Sequence, residues 1–111
     1  MEDWDSLSTE WLCRRARLLA LNGHVRRGLV YQLVAHHMHP VDIDVLHGLA
    51  ELFAMAGDGT RALTVTNKME ALGVSASDLA LLRINAHLAL GQLDTATELL
   101  ARYDSGPEAK A

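Results

Sequence analysis

Three glycines recur at one fixed spacing, and this repeat constrains the fold more than any other feature of the chain. Gly23, Gly57 and Gly91 follow one another at intervals of 34 residues. Five positions after each glycine stands a small residue, and the three small residues are Gly28, Ala62 and Ala96. A period of this length is typical of repeat proteins, in which each unit buries its apolar surface against the next. We therefore expect three copies of one structural unit.

Each unit has the pattern of two helices joined by a glycine turn. Apolar residues recur at helical spacing before and after every glycine. Glycine has no Cβ and readily takes the left-handed conformation that ends a helix. The small residue is expected where the second helix of a pair crosses closest to the first. The pattern predicts six helices, at about 7–22, 25–38, 43–56, 59–72, 77–90 and 93–104.

Residues that start and stop helices support these bounds. Asp42 and Ser75 stand where the third and fifth helices are expected to begin, and both are good N-caps. Pro40 follows the second helix, Gly73 the fourth, and the dipeptide 106–107 the sixth.

The repeat resembles the tetratricopeptide repeat (TPR), a 34-residue helical hairpin with a glycine in the turn and an alanine in the second helix. The three units would be 9–42, 43–76 and 77–110, after an N-terminal segment 1–8. The chain departs from the TPR pattern where an early Trp is expected, since it has Leu12, Leu46 and Ala80 there, and only the first unit ends in a proline. The resemblance implies a single all-α domain of three hairpins that form a short right-handed solenoid.

In TPR proteins the first helix of each hairpin lines a concave groove, so the resemblance also assigns candidate partner-binding residues. These are Cys13, Arg17, Ala20, Leu21, His47, Glu51, Ala54, Met55, Leu81, Asn85 and Leu88. The set combines an apolar strip with an acidic rim, which favours an apolar helix or extended segment as the ligand. Cys13, Glu51 and Leu81 stand where a TPR co-chaperone would hold an acidic tail with cations or amides, which disfavours that ligand class.

The second predicted helix is apolar almost all the way round. Its apolar residues are Val25, Leu29, Val30, Tyr31, Leu33, Val34 and Met38. A surface helix normally has one polar side, so we expect something to cover this one. The candidates are the N-terminal segment, through Trp4, Leu7 and Trp11, or another protein chain.

Charge and cysteine content narrow the class of protein. The formal net charge is −4, which disfavours nucleic acid as a partner. A single cysteine cannot form an intramolecular disulfide, and no apolar stretch approaches the roughly 20 residues of a membrane span. The first residues are acidic, unlike a signal peptide. These features predict a cytoplasmic protein.

Two clusters could in principle carry chemistry. The tract from His36 to His39 has residue types that bind zinc or copper, but no further ligands stand at a recognisable spacing. Histidines near a helix C-terminus also interact favourably with the helix dipole. Cys13 and His47 could approach each other, but no oxyanion donor or orienting group accompanies them. We therefore expect no metal, no cofactor and no catalytic residue.

The turn motifs at 21–27, 58–62 and 89–96, together with the short acidic chain, resemble the small TPR chaperones of bacterial type III secretion. The YscY-type export chaperones are the nearest in pattern, and the chaperone that holds the C-terminal helix of the needle subunit is a close rival. Either resemblance implies a bacterial cytoplasmic protein, recruited to the inner-membrane export apparatus, that shields a small secreted or apparatus protein. The alternative is a scaffold that forms a homodimer through its second helix and has no secretion client.

Overall fold

The computed structural model describes residues 2–104, with side chains from residue 8 onward. Within these residues the chain forms helices and no strands. The helices pack as three consecutive hairpins, the first of α1 with α2, the second of α3 with α4 and the third of α5 with α6. Their bounds are α1 Glu2–Leu21, α2 Val25–Met38, α3 Ile43–Met55, α4 Gly59–Ala71, α5 Ala76–Ala89 and α6 Leu93–Asp104.

Five helices lie within one residue of their predicted bounds, and α1 differs. It begins at Glu2 rather than near residue 7, so the backbone of residues 2–8 continues the helix instead of forming a separate segment. Acidic residues at positions 2, 3 and 5 favour a helix N-terminus because they complement its partial positive charge. The predicted stop signal at 106–107 lies outside the described residues.

The three repeat turns have the same backbone geometry. Gly23, Gly57 and Gly91 have φ angles of 86°, 82° and 74°, in the left-handed region that the glycine spacing predicts. In each turn the residue after the glycine donates its N–H to the carbonyl five residues before it, at 2.8–2.9 Å. This is the bond that closes a Schellman motif, so each first helix ends in the same way.

Small residues allow the helices to approach closely. A Cβ placed on Gly28 would lie 2.5 Å from the carbonyl oxygen of Ala16, so α2 crosses α1 almost in backbone contact. Ala62 and Ala96, the equivalent residues in the later hairpins, are buried. A Cβ on Gly59 would meet the carbonyl oxygen of Ala86, which brings α4 equally close to α5.

Side-chain caps start α3, α4 and α5. Asp42 accepts hydrogen bonds from the backbone N–H groups of Asp44 and Val45, at 2.9 and 3.3 Å. Ser75 caps α5 in the same manner, as predicted, and Asp58 caps α4. No helix among the described residues is long and apolar enough to cross a membrane.

The buried apolar residues form two clusters of unequal size. The larger cluster joins the second and third hairpins, and its buried members are Leu46, Leu49, Ala50, Phe53, Ala62, Val65, Met69, Leu79, Leu82 and Ala86. The smaller cluster consists of Ala16, Ala20 and Leu52, with Val25, Leu29 and Tyr31 packed against it. The first hairpin is therefore attached to the rest of the molecule mainly through α2 and α3.

Candidate binding groove

A pocket of about 310 Å³ opens between α1 and α3, with α2 at its base, and we call it the α1–α3 groove. The pocket is open because α1 contacts α3 far less than α5, the first helix of the next hairpin, contacts α3. Its volume is at the lower end of the range for small-ligand pockets, about 300–1,000 Å³. The lining residues are Cys13, Arg14, Arg17, Ala20, Leu21, Gln32, Asp44, His47, Gly48, Glu51, Leu52 and Met55.

Seven of the eleven predicted groove residues line this pocket, namely Cys13, Arg17, Ala20, Leu21, His47, Glu51 and Met55. The other four lie elsewhere. Ala54 packs against the larger core cluster. Leu81, Asn85 and Leu88 are exposed on α5, away from the pocket.

The base of the groove is formed by a buried polar side chain that the sequence reasoning did not single out. Gln32 is 2% exposed, and its Nε2 donates to the carbonyl oxygen of Val45 at 2.9 Å. A Cβ on Gly48 would lie 2.5 Å from that Nε2, so the amide occupies the space that a side chain at position 48 would need. Gln32 stands one repeat period before Thr66, which is also buried. A polar residue at the same position of two repeats was the sequence signal for Gln32.

The apolar surface of the groove is partly buried and partly open. Ala20 and Leu52 are buried beneath it. Leu21 and Met55 stand at its rim and are 68% and 51% exposed. Covering large exposed apolar side chains is favourable at roughly 25 cal/mol per Å². An apolar ligand would gain most of its binding energy at these two residues.

The two walls of the groove carry opposite charges. Arg14 and Arg17 project from α1, whereas Asp44 and Glu51 project from α3. One ion pair spans the groove, with 3.9 Å between Nη1 of Arg17 and Oε1 of Glu51. Nδ1 of His47 also lies 3.4 Å from that carboxylate oxygen. Exposed pairs of this length contribute little, so a ligand can separate them at small cost.

Cys13 contributes a neutral thiol to the α1 wall. Burial raises the pKa of this thiol, and the carboxylates of Asp42 and Asp44 raise it further, whereas a hydrogen bond with Gln32 acts in the opposite direction. A nucleophilic cysteine needs a lowered pKa, so the sharing of one pocket by Cys13 and His47 does not supply an activated thiolate.

The histidine tract at the end of α2 has no further metal-ligand side chains converging on it among the described residues. Nδ1 of His36 and Nε2 of His39 are buried without a hydrogen-bond partner among the described residues. Burial, aided by the charge of Lys68, lowers the pKa of His36. Within residues 2–104 no three His, Cys, Asp or Glu side chains converge in a way that could hold a metal ion.

The outward side of α2 is covered only in part. The rings of Trp11 and Tyr31 contact each other, with centroids 6.0 Å apart. The side chains of Trp4 and Leu7, which were expected to help cover the helix, lie outside the described residues. Val30, Leu33, Val34 and Met38 remain exposed, and we call these four residues the outer face of α2.

Comparisons of the chain with models of protein families, with curated proteins and with solved structures find no match.

Proposed function

We propose that this chain is a TPR-type binding protein without catalytic activity, which shields an apolar segment of a partner protein in the α1–α3 groove. The observation that carries the proposal is the groove itself. It places two exposed apolar rim residues, Leu21 and Met55, beside the buried apolar residues Ala20 and Leu52 of the same two helices. Binding by burial of anchor side chains is the usual way in which a hydrophobic groove holds a helix.

The charged walls favour an amphipathic helix over a purely apolar segment. A helix that lies along the groove would meet Arg14 and Arg17 on one side and Asp44 and Glu51 on the other. Acidic residues on one flank and basic residues on the other would complement these walls and fix the orientation of the helix. The partner segment should therefore have one apolar stripe between flanks of opposite charge.

The sequence resemblance supports a more specific identity for the partner. Turn motifs like those at 21–27, 58–62 and 89–96 occur in the small TPR chaperones of bacterial type III secretion. We propose that the partner is a small secreted or export-apparatus protein of such a system. The chaperone would keep it monomeric in the bacterial cytoplasm until it reaches the inner-membrane export apparatus.

The test is purification of the tagged protein from the bacterium that encodes it, with mass spectrometry of what co-purifies. Met55→Glu places a charge at the rim of the groove and should abolish recovery of the partner, because burying an unpaired charge is strongly unfavourable. Leu93→Glu is the matched control, since it adds the same charge at an exposed leucine on α6, outside the groove. It should recover the partner as the unmodified protein does.

The single cysteine locates the bound partner independently. Cys13 lines the groove, so alkylation of its thiol should slow when the co-purified partner is bound. Equal recovery by Met55→Glu, with unchanged alkylation of Cys13, would show that the groove is not the binding site. A co-purified partner unrelated to secretion would contradict the type III assignment and leave the groove intact as a binding site.

A further inference from the structure

The last helix, α6, repeats an apolar face that is buried on α4. The third hairpin packs on the second through α5 and α4, and we call this contact the α4–α5 junction. Thr66 and Met69 on α4 are buried there. One period later on α6 stand Leu100 and Tyr103, each 44% exposed, and Leu93 at the start of α6 is 65% exposed. At 100° per residue these three side chains lie within about 80° of the helix circumference, and we call them the end face of α6.

The first helix, α1, has exposed side chains at the positions that cover α4 in the α4–α5 junction. On α5, Leu79 and Ala86 are buried in the larger core cluster. Two periods before them stand Trp11 and Leu18 on α1, which are 54% and 51% exposed. The exposed Arg15 lies on the same side, within about 60° of the helix circumference. We call Trp11, Arg15 and Leu18 the end face of α1.

The two end faces carry the two halves of an ion pair that the chain already forms once. In the α4–α5 junction, Nη2 of Arg83 on α5 lies 3.1 Å from Oε1 of Glu70 on α4. Two periods before Arg83 stands Arg15 on α1, and one period after Glu70 stands Asp104 on α6. Both are exposed, and neither has an ion-pair partner among the described residues. Opposite charges therefore stand at the two positions that the α4–α5 junction pairs.

We infer that the end face of α6 binds the end face of α1 on a second copy of this chain, so that copies stack head to tail. The end face of α6 would cover Trp11 and Leu18 of the next copy, and Arg15 of that copy would pair with Asp104. Contact between two α6 end faces would leave Asp104 without a cation, since Arg102 lies on the opposite side of the helix. The charges thus favour α1 as the occupant.

The size of Leu93 sets the spacing between stacked copies. At the equivalent position of α4, a Cβ on Gly59 would collide with the backbone of α5, so those two helices are in close contact. Where α3 packs on α2, the equivalent residues are Val25 and Leu52, which pack together in the smaller cluster. Leu93 and Leu18 resemble this second pair, so stacked copies should have the wider spacing of α2 and α3 at this end.

The polar side chains that border the two faces can be accommodated. Oγ1 of Thr97 and Nδ2 of Asn22 donate to carbonyl oxygens of their own helices, at 2.8 and 2.7 Å. Arg14 is exposed between the end face of α1 and the groove. Its apolar stem can pack beside Leu100 of the next copy while its guanidinium stays in water. The groove residues Cys13 and Arg17 lie on another side of α1, so stacking leaves the groove open.

Sedimentation equilibrium of the full chain over a range of concentrations tests the interface. Because the two faces differ, each stacked copy still has a free face, and the average mass should rise past that of a dimer. Leu18→Glu and Leu100→Glu should each raise the dissociation constant about tenfold or more, since each places an unpaired charge against an apolar face. Leu81→Glu adds the same charge at an exposed leucine of α5 outside both end faces and should leave the association unchanged.

A mixture of two variants tests the head-to-tail arrangement. Leu18→Glu keeps its end face on α6, and Leu100→Glu keeps its end face on α1. An equimolar mixture should therefore form a one-to-one heterodimer that grows no further. An interface between like faces would instead leave one of the two variants associating on its own and give no heterodimer, which would overturn the inference.

The ion pair should have a smaller effect. Arg15→Asp and Asp104→Arg should each weaken the association about two- to fivefold, as expected for an exposed pair. The double variant Arg15→Asp/Asp104→Arg reverses both charges, so it should associate like the unmodified protein. Failure of the double variant to recover would mean that the two side chains do not meet.

A protein that stays monomeric at every concentration would overturn the inference, whether residues 105–111 or another protein covers the end face of α6. A Leu100→Glu variant that associates like the unmodified chain would also overturn it. Met55→Glu should stack normally without recovering the groove partner, whereas Leu93→Glu should recover the partner and stack weakly. Failure of the groove proposal and failure of this inference are therefore distinguishable.

Discussion

Two junctions join the three hairpins, one between the first and second and one between the second and third. Both follow the same backbone repeat, but different kinds of side chain fill them. Between the second and third hairpins the larger core cluster is continuous, and Leu82 on α5 is buried in it. Between the first and second hairpins the equivalent position on α3 is Gly48, and the buried amide of Gln32 occupies the space that this glycine leaves.

The difference follows from the sizes of the side chains at two equivalent positions of the repeat. The first junction pairs a large polar residue with the smallest residue, Gln32 with Gly48. One period later the corresponding residues are Thr66 and Leu82, both of them buried. The second junction therefore closes around the apolar Leu82, and the hydroxyl of Thr66 donates within its own helix to the carbonyl of Leu63. In the first junction the amide of Gln32 reaches across to the carbonyl of Val45, and a pocket lies above it. The α1–α3 groove therefore arises from the side chains that fill one junction of the repeat.

Truncation at the closed junction should have the largest effect. Leu82→Ala removes a buried side chain from the larger cluster and should lower the free energy of unfolding by about 2–5 kcal/mol. Leu81→Ala, at the next residue, is the control, because Leu81 is 52% exposed and its loss should change stability by less than about 0.5 kcal/mol. Urea denaturation measures both losses in the free energy of unfolding. Equal losses would mean that the buried side chain of Leu82 does not stabilise the larger cluster.

Placing the residues of the second junction into the first tests the comparison directly. Gly48→Leu alone should lower the free energy of unfolding by about 1–3 kcal/mol, because its side chain would collide with the amide of Gln32. Gln32→Thr alone should also destabilise, since it removes the hydrogen bond to the carbonyl of Val45. Together the two substitutions reproduce the second junction, and stability should recover.

The double-mutant cycle should therefore show a favourable coupling of about 1 kcal/mol or more. If the two losses in the free energy of unfolding were additive, the sizes of these two side chains would not be coupled. The double variant should also close the α1–α3 groove, so the thiol of Cys13 should become less accessible to alkylation.

The smallest of the three effects should come from His36, which stands at the position of Glu70 in the next repeat. Burial holds the pKa of this histidine below its ordinary value in the folded chain, so the unfolded chain binds a proton at higher pH than the folded one. The free energy of unfolding should then fall as the pH is lowered through the ordinary histidine range near 6.5, and the loss should level off below the folded pKa. His36→Asn should flatten this dependence in urea titrations, and an unchanged slope would assign it to other groups.

The helix bounds were predictable because glycine ends a helix at a defined position. Gly23, Gly57 and Gly91 each terminate a first helix through the same hydrogen-bonded turn, and so their spacing set the bounds on both sides. The start of α1 was not predictable in this way, because no glycine turn or side-chain cap in the sequence marks it.

The groove was only partly predictable, since the repeat implies equivalent walls in all three units. Residues of α1 and α3 do line one pocket, as Cys13 and His47 show. Leu81 and Leu88, at the equivalent positions of α5, do not take part, because the second junction is closed. Whether a junction closes depends on which residues meet across it, and the repeat pattern alone does not specify that pairing.

The separation of the two core clusters also has a consequence for local unfolding. Ala16 and Ala20 on α1 meet the second hairpin only through Leu52 within their own cluster. Leu29 packs against both clusters, but all ten buried members of the larger one lie on α3, α4 and α5. We therefore expect the first hairpin to open as a unit while that cluster stays folded, since repeat proteins unfold in units joined by nearest-neighbour interfaces. A partner helix bound in the groove, as proposed above, would contact α1 and α3 together and would stay bound only while the first hairpin is closed. Binding would thus join the two cooperative units into one, because the partner would fill the gap between the first two hairpins.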